Sequence, residues 1–237
     1  MRPAPPPGAL PRDAVDQVRR VAVHGAPFLG YVHGIGDVNG DGLADVVAGA
    51  SANAEVWLGN RDSVLSETAV LLTQPAIMAD QLLGDHAATP GDLNGDGFTD
   101  LALGITNTRP LGPDVHGGRV FVYLGSERGP PRSPSFTLEP PTGEGADFGF
   151  DLTCSSDMNG DGLDDLVVGF PSGGYRSEGP IYGGTLLIYH GSSAGIPGTA
   201  NVRIRNNLAN EFEGLGGRIA GLFFGGSGML LSADFPG

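Results

Sequence analysis

The sequence has very little cysteine, few basic residues and no long apolar run. Its single cysteine, Cys154, cannot form an internal disulfide, which excludes a disulfide-rich scaffold. We predict that Cys154 packs in the core, on a strand just before a repeated loop. Only 13 lysines and arginines stand against 27 acidic residues, whereas a nucleic-acid-binding protein would be basic. No stretch approaches the ~20 apolar residues of a membrane span. We therefore expect no nucleic acid partner and no membrane insertion.

Recognisable catalytic motifs are also missing. The histidines are scattered, with no His-x-His or His-Glu-x-x-His spacing: His24, His33, His86, His116 and His190. Ser51, Ser172 and Ser192 lie in no Gly-x-Ser-x-Gly context. Because an enzyme needs a convergent acid–base set, we predict a protein that is not an enzyme. A pocket shared by His86 and His116 would favour the enzymatic alternative.

A nine-residue motif occurs three times. It reads Asp-Val-Asn-Gly-Asp-Gly-Leu-Ala-Asp at 37–45, Asp-Leu-Asn-Gly-Asp-Gly-Phe-Thr-Asp at 92–100 and Asp-Met-Asn-Gly-Asp-Gly-Leu-Asp-Asp at 157–165. Oxygen-bearing side chains occupy positions 1, 3, 5 and 9, and glycine occupies positions 4 and 6. Calcium takes about six to eight oxygen ligands, and glycine permits the positive φ angles of a tight loop. The motif predicts three Ca2+ sites. The carbonyl of position 7 would add an oxygen, and its apolar side chain can point into the core.

Other loops with similar sequences fit less well. A hairpin turn explains Asn-Gly and Asp-Gly, but not four oxygen-bearing positions kept in register three times. An EF-hand needs a glutamate at position 12 and flanking helices, and position 12 here is Ala48, Leu103 or Val168. The dockerin loop continues into a helix, and thrombospondin type 3 loops come in cysteine-linked arrays. Nine of the 27 acidic residues lie in these loops, and three calcium ions would bring the formal charge from −14 to about −8.

Repeated strand patterns surround the three motifs, which are 55 and then 65 residues apart. Each unit begins with an apolar-Gly pair, at Leu29-Gly30, Leu83-Gly84, Phe148-Gly149 and Leu215-Gly216. A strand enters each motif and a Val/Leu-rich strand leaves it. We predict third strands at 54–58, 118–124 and 183–190, each ending in glycine, and fourth strands near 69–73, 135–138 and 201–205. Four short antiparallel strands per unit indicate an all-β protein, a β-propeller of about three and a half blades.

The pattern Phe-Gly, then Asp-x-Asn-x-Asp-Gly-x-x-Asp, then Gly-Ala-Pro resembles the FG-GAP repeat of integrin α-subunit β-propellers and their prokaryotic relatives. Its last part appears as Gly49-Ala50, Gly104-Ile105 and Gly169-Phe170-Pro171. The resemblance covers roughly residues 26–237 and implies that each calcium loop joins strands 1 and 2 of a blade. It implies three ligand sets: Asp37, Asn39, Asp41, the Leu43 carbonyl and Asp45; Asp92, Asn94, Asp96, the Phe98 carbonyl and Asp100; and Asp157, Asn159, Asp161, the Leu163 carbonyl and Asp165.

We expect a Pro-rich linker at 1–20 and propeller blades over 21–237. The blades would cover about 26–75, 80–140 and 145–206, with a partial one at 211–237. That last unit has Phe224-Gly225-Gly226-Ser227-Gly228 where the metal loop should be, so we predict no calcium there. Because integrin-like propellers have seven blades, three arrangements stay open. Two chains could close one ring as a homodimer, the chain could form a small four-bladed ring, or it could be a fragment of a longer product.

The resemblance implies a non-catalytic module for adhesion or recognition, which binds a protein or carbohydrate ligand on the face opposite the metal loops. Candidate contact loops are those at 107–116 and 171–182, with Tyr175 and Tyr182. Loops this acidic are suited to millimolar calcium, so we expect a secreted or cell-surface location. The alternative is a propeller enzyme, such as a polysaccharide lyase or a phosphodiester hydrolase.

Overall fold

The structure is a computed structural model that describes residues 31–50, 53–62, 64–65, 69–73, 83–84, 86–105, 118–141, 148–155, 157–176 and 179–205. The predicted linker, the loop at 107–116 and the partial unit at 211–237 lie outside these residues. So do the side chains of Cys154, Tyr175 and Tyr182, although their backbones are described. Every regular element in the described part is a β-strand. It therefore contains no helix long and apolar enough to cross a membrane.

Three four-stranded antiparallel sheets follow one another along the chain, and we call them blades 1, 2 and 3. Blade 1 contains β1 (Tyr31–Gly36), β2 (Asp45–Ala50), β3 (Asn53–Trp57) and β6 (Val70–Thr73). A small ribbon of β4 (Gly59–Asn60) and β5 (Val64–Leu65) follows β3. Blade 2 contains β7 (His86–Gly91), β8 (Asp100–Ile105), β9 (Arg119–Tyr123) and β10 (Phe136–Leu138). Blade 3 contains β11 (Asp151–Ser155), β12 (Asp165–Arg176), β13 (Gly179–His190) and β14 (Val202–Arg205).

Each blade pairs its strands in the order of the chain, which confirms the predicted all-β propeller architecture. The third and fourth strands begin and end close to their predicted bounds, except that β13 begins earlier, at Gly179. The first strands of successive blades are neighbours, since β7 lies against both β1 and β11. The blades therefore stack side by side with their first strands on one common side.

Two apolar cores fill the spaces between the blades. Leu101, Leu103 and Ile105 of β8 pack with blade 1, whereas Ala102 packs with blade 3. Side chains of a strand alternate between its two faces, so one strand supplies both cores. A blade between two neighbours is thus apolar on both faces, and all six residues of β8 are buried.

The apolar-Gly pairs Leu83-Gly84 and Phe148-Gly149 each dock on the preceding blade. Leu83 and Phe148 have no exposed surface. A Cβ atom on Gly49 of blade 1 would lie only 2.4 Å from the Leu83 carbonyl oxygen, and one on Gly104 of blade 2 would lie 2.4 Å from the Gly149 oxygen. Both positions must therefore be glycine for the backbones to approach. The apolar-Gly pair that begins one repeat therefore contacts the glycine near the end of the preceding repeat's motif.

The predicted loop at 171–182 is a hairpin instead. Strands β12 and β13 continue to pair beyond the ends of their counterparts, with Ser172 opposite Tyr182 and Arg176 opposite Gly179. Pro171 has no N–H for the ladder, and it falls at a register shift between Phe170 and Ser172. The shift absorbs the proline, which is why a sequence typical of a loop forms paired strands.

Candidate metal centre

The three motifs form the hairpin loops between the first and second strands of their blades, as predicted. We call them loop 1 (37–45), loop 2 (92–100) and loop 3 (157–165). The glycines at positions 4 and 6 all have positive φ, from 74° at Gly40 to 90° at Gly162. L-residues with side chains rarely adopt this conformation. These six glycines therefore let each loop turn tightly enough to gather its acidic side chains.

The aspartate at position 1 organises each loop through backbone amides. In loop 2, Asp92 Oδ1 accepts the amides of Gly95 at 2.7 Å and Asp96 at 3.1 Å, and its Oδ2 accepts the amide of Gly97 at 2.8 Å. Asp157 accepts the three equivalent amides in loop 3, and Asp37 accepts those of Asp41 and Gly42 in loop 1. In loop 3 the Gly162 amide and its neighbours lower the pKa of Asp157. The loop is thus built to hold a negatively charged oxygen pair at position 1.

Positions 3 and 5 are joined to each other. The Asn94 amide group donates to Asp96 Oδ2 at 2.9 Å, and Asp96 Oδ1 accepts the Phe98 amide at 3.0 Å. Loops 1 and 3 repeat both contacts. Asp41, Asp96 and Asp161 are exposed to solvent. An incoming ion can therefore reach these carboxylates directly.

The aspartate at position 9 is completely buried in all three loops, at Asp45, Asp100 and Asp165. Asp100 Oδ2 accepts the Leu93 amide at 2.9 Å and its Oδ1 accepts the Gly125 amide at 2.8 Å. Asp45 and Asp165 accept the matching pairs of amides. Each carboxylate oxygen can accept two hydrogen bonds or ligand contacts, so an oxygen bound to one amide keeps capacity for an ion.

The acidic groups of each loop repel one another. Burial raises the pKa of Asp100 to about 6, and the carboxylates of Asp96 and Asp92 also raise it. The hydrogen bonds from the amides of Gly125 and Leu93 lower this pKa but do not offset the rise. Burial likewise raises the pKa of Asp45, and Asp41 and Asp37 add to the effect. A divalent cation among these carboxylates would relieve that repulsion. Burial and mutual repulsion are therefore the features of the loop that a cation would offset.

The donors present fit calcium. Each loop offers only oxygen side-chain ligands, three carboxylates and one amide oxygen, which is the set that a hard cation prefers. Within the described ranges, no three His, Cys, Asp or Glu side chains converge closely enough to hold an ion by themselves. The amide and carbonyl oxygens at positions 3 and 7 would therefore have to share the coordination. The ligand sets given above stay predictions.

The apolar side chain at position 7 was expected to point into the core, but it lies outside both cores in all three loops. Leu43, Phe98 and Leu163 are half-buried and belong to neither apolar core. Phe98 reaches loop 1, where a Cβ on Gly40 would lie 3.0 Å from its ring, and Leu163 reaches Gly95 of loop 2 in the same way. Because the loops project beyond the ends of the strands, Phe98 and Leu163 meet the preceding loop rather than the blade interior.

The histidines form no acid–base set in the described part of the chain. His33 and His86 lie on neighbouring first strands, and His86 contacts the Phe150 ring at 4.8 Å between centroids. His190 Nδ1 lies 3.2 Å from Asp165 Oδ2 without the alignment of a hydrogen bond. His24 and His116 lie outside the described residues, so the proposed pairing of His86 with His116 stays untested.

Comparison with known families identifies the repeat. A model of the FG-GAP-like repeat matches residues 37–103. A model of the FG-GAP repeat matches residues 86–123 and 151–186. The matched segments contain loops 1, 2 and 3 and, apart from β1, the strands on either side of them. The chain belongs to the FG-GAP repeat family.

Integrin alpha subunits are among the similar proteins. The chain is 35% identical over 157 residues to integrin alpha-PS5 of Drosophila melanogaster, which covers 61% of this chain and 15% of that protein. It is 34% identical over 160 residues to human integrin alpha-IIb, with the same two shares. Integrin alpha-5 of Xenopus laevis is 28% identical over 203 residues, or 79% of this chain and 18% of that protein. The FG-GAP chain therefore spans less than a fifth of the length of these relatives.

Three further glycines belong to the FG-GAP loops although the motif does not include them. Gly59, Gly125 and Gly191 follow the third strands and donate their amides to the buried aspartates at 2.7, 2.8 and 3.1 Å. A Cβ on any of them would lie within 2.7 Å of the carbonyl oxygen at position 8 of its loop. Each predicted third strand ends in glycine, but a glycine in that position by itself predicts only a turn.

Proposed function

We propose that this chain is a calcium-binding FG-GAP propeller module that acts non-catalytically in extracellular adhesion or ligand recognition. The observation that carries the calcium part is the threefold repetition of one hydrogen-bonded loop. In each copy, backbone amides aim a position 1 carboxylate, an exposed carboxylate stands at position 5, and a buried one closes the loop. Metal binding would stabilise the hairpin between the first two strands of each blade.

Calcium titration tests this proposal. We expect isothermal titration calorimetry to give three bound ions per chain. Saturating calcium about 100-fold above a dissociation constant stabilises a protein by about 2.7 kcal/mol per site. Asp41→Ala and Asp96→Ala should each remove one ion and its share of the calcium-dependent increase in melting temperature. Asp62→Ala is the matched control, because Asp62 is an exposed aspartate outside the loops. An unchanged increase in both loop variants would contradict the proposal.

The recognition part is supported by the hairpin of β12 and β13. In an antiparallel blade the connection between the second and third strands lies at the end opposite the metal loop. Strand β12 has 12 residues, whereas β2 and β8 have 6 each. The additional residues, at ~3.3 Å each, correspond to about 20 Å of extra strand. Together with β13, which also has 12 residues, β12 is the longest strand in the described part of the chain, which supports this hairpin as the contact element.

Similarity to integrin alpha subunits also supports recognition of an extracellular partner. The experiment is an array of extracellular matrix proteins and glycans, probed with the labelled chain in millimolar calcium. We expect a bound protein or glycan that a variant with 172–182 replaced by a short turn no longer retains. Binding that survives this replacement would move the contact surface elsewhere, and turnover of a bound polysaccharide would overturn the non-catalytic assignment.

A further inference from the structure

Loops 2 and 3 are joined by a reciprocal pair of hydrogen bonds. Asp164 Oδ2 accepts the Asp92 amide at 2.9 Å, and the Asp164 amide donates to the Asp92 carbonyl at 3.1 Å. The Ser192 amide, just after β13, donates to the Leu93 carbonyl at 2.9 Å. These bonds fix the backbone of Asp92, the residue at position 1 of loop 2, to blade 3.

Asp164 occupies a particular place in loop 3. It stands at position 8, between the predicted carbonyl ligand Leu163 and the buried Asp165. The equivalent residues of loops 1 and 2 are Ala44 and Thr99, which carry no carboxylate. Any ordering of 163–165 by an ion in loop 3 would therefore also hold the residue that begins loop 2.

The residue before loop 2 leaves space for this carboxylate. Gly91 has a positive φ of 89°, and a Cβ there would lie 2.1 Å from Asp164 Oδ2. Leu163 adds a second contact, since its side chain packs on Gly95 at position 4 of loop 2. Loop 2 is thus shaped on two sides by residues of loop 3.

We propose that Asp164 is a positioning residue that couples calcium binding in loop 3 to calcium binding in loop 2. The proposal rests on the proposed function, because it requires that the loops bind calcium. Coupling of this kind is reciprocal, so each ion raises the affinity of the other loop by the same factor. Loop 1, which Asp164 does not contact, serves as the internal reference.

The test is a site-resolved calcium titration by NMR of the full chain. The position 6 amides of Gly42, Gly97 and Gly162 report the occupancy of loops 1, 2 and 3 separately, because each donates to the aspartate at position 1. Loop 3 is silenced by Asp161→Ala, with Asp164 present or replaced by Asp164→Ala. We expect silencing to weaken loop 2 about fivefold when Asp164 is present. We expect a change below about twofold when it is not.

The outcomes separate the two proposals. Calcium binding in all loops with a loop 2 affinity indifferent to Asp161→Ala would overturn the coupling and leave the proposed function intact. Equal coupling with and without the Asp164 side chain would also overturn it and assign the effect to the contacts that Asp164→Ala keeps, which are the backbone hydrogen bonds and Leu163. Failure of every loop to bind calcium would overturn the proposed function, and the coupling with it. The four chains are the unmodified one, the two single variants Asp161→Ala and Asp164→Ala, and the double variant. A calcium affinity of loop 1 that is the same in all four supports a local contact between loops 2 and 3 rather than a general loss of stability.

Discussion

At the scale of single residues, the buried aspartates at position 9 have a second role beside their predicted one. Asp45, Asp100 and Asp165 are fully buried and receive amides from their own loop and from the glycine after the third strand. A buried carboxylate must be hydrogen-bonded to offset its loss of hydration. Each therefore holds the first three strands of its blade together whether or not it also binds an ion.

Gly125, the glycine after β9, gives a direct test of this structural role, because its amide binds the buried Asp100. A Cβ on Gly125 would lie 2.4 Å from the Thr99 carbonyl oxygen and 3.0 Å from the Val38 oxygen of loop 1. We expect Gly125→Ala to lower the free energy of unfolding by about 1–3 kcal/mol, as overpacking does, in urea titrations. Gly198→Ala is the matched control, because Gly198 is exposed and has no atom within 4 Å. Equal effects of the two substitutions would contradict the close approach of Gly125 to both loops.

His86 predicts a pH dependence of stability. Burial lowers its pKa to about 4, and the nearby His33 adds to the effect, whereas a histidine in the unfolded chain has a pKa of about 6.5. The unfolded chain therefore binds a proton first as the pH falls. The contribution of neutral His86 to stability is complete above about pH 6.5 and is lost between there and about pH 4.

Thermal melting in saturating calcium from pH 8 to pH 4.5 checks this expectation. We expect the melting temperature of the unmodified chain to fall more steeply below about pH 6.5 than that of His86→Gln, because a glutamine side chain does not titrate. Comparison at a constant calcium excess separates the histidine from the loop aspartates, which both chains share. Melting temperatures that fall in parallel with pH in the two chains would contradict a contribution of His86 to the pH dependence of stability.

At the scale of elements, the loops form a continuous row rather than three separate turns. Phe98 packs on Gly40 and Leu163 packs on Gly95, so the position 7 side chains of loops 2 and 3 each cover the loop before them. The order of the blades thus sets which loop each apolar residue protects. Loop 2 is the one loop that both donates and receives such a contact within the described residues.

The hairpin of β12 and β13 projects from its blade, and we expect it to be separable from the fold. Only the core between blades 2 and 3 includes described side chains of these strands, up to Val168 in β12 and from Leu187 onwards in β13. Replacement of 172–182 by a two-residue Asn-Gly turn should therefore change the free energy of unfolding by less than about 1 kcal/mol. Urea titration measures this, with Leu187→Ala as the destabilising reference at about 2–5 kcal/mol. A large loss on shortening would mean that the hairpin supports the blade.

At the scale of the whole molecule, the fourth strand of blade 3 exposes apolar side chains, whereas the equivalent side chains of blades 1 and 2 are buried. Leu72 and Leu138, in the fourth strands of blades 1 and 2, are 0% and 1% exposed, whereas their equivalent Ile204 is 43% exposed. Val202, on the same face of β14, is 39% exposed. An apolar sheet face of this kind is an association hazard unless another blade covers it.

We expect association in calcium to cover such faces. Light scattering in millimolar calcium should give twice the mass of one chain, and chelator should dissociate or unfold the dimer. Ile204→Lys, which leaves the loops unchanged, should favour the monomer. A stable monomer in calcium would contradict the dimer and favour a ring closed by one chain. A mass and a melting temperature that are both indifferent to chelator would contradict a stabilising role for the metal.

The sequence by itself determined the propeller class, the strand positions and the three loops, because those depend on local patterns. Alternation along a strand repeats every second residue, and the amides that orient Asp92 come from within five residues of it. Only the tertiary structure decided what these elements meet. Asp164 and Asp92 are 72 residues apart in the chain, and Asp100 and Gly125 are 25 apart. The long hairpin and the position 7 contacts likewise depend on pairing and blade stacking, which no short stretch of sequence encodes.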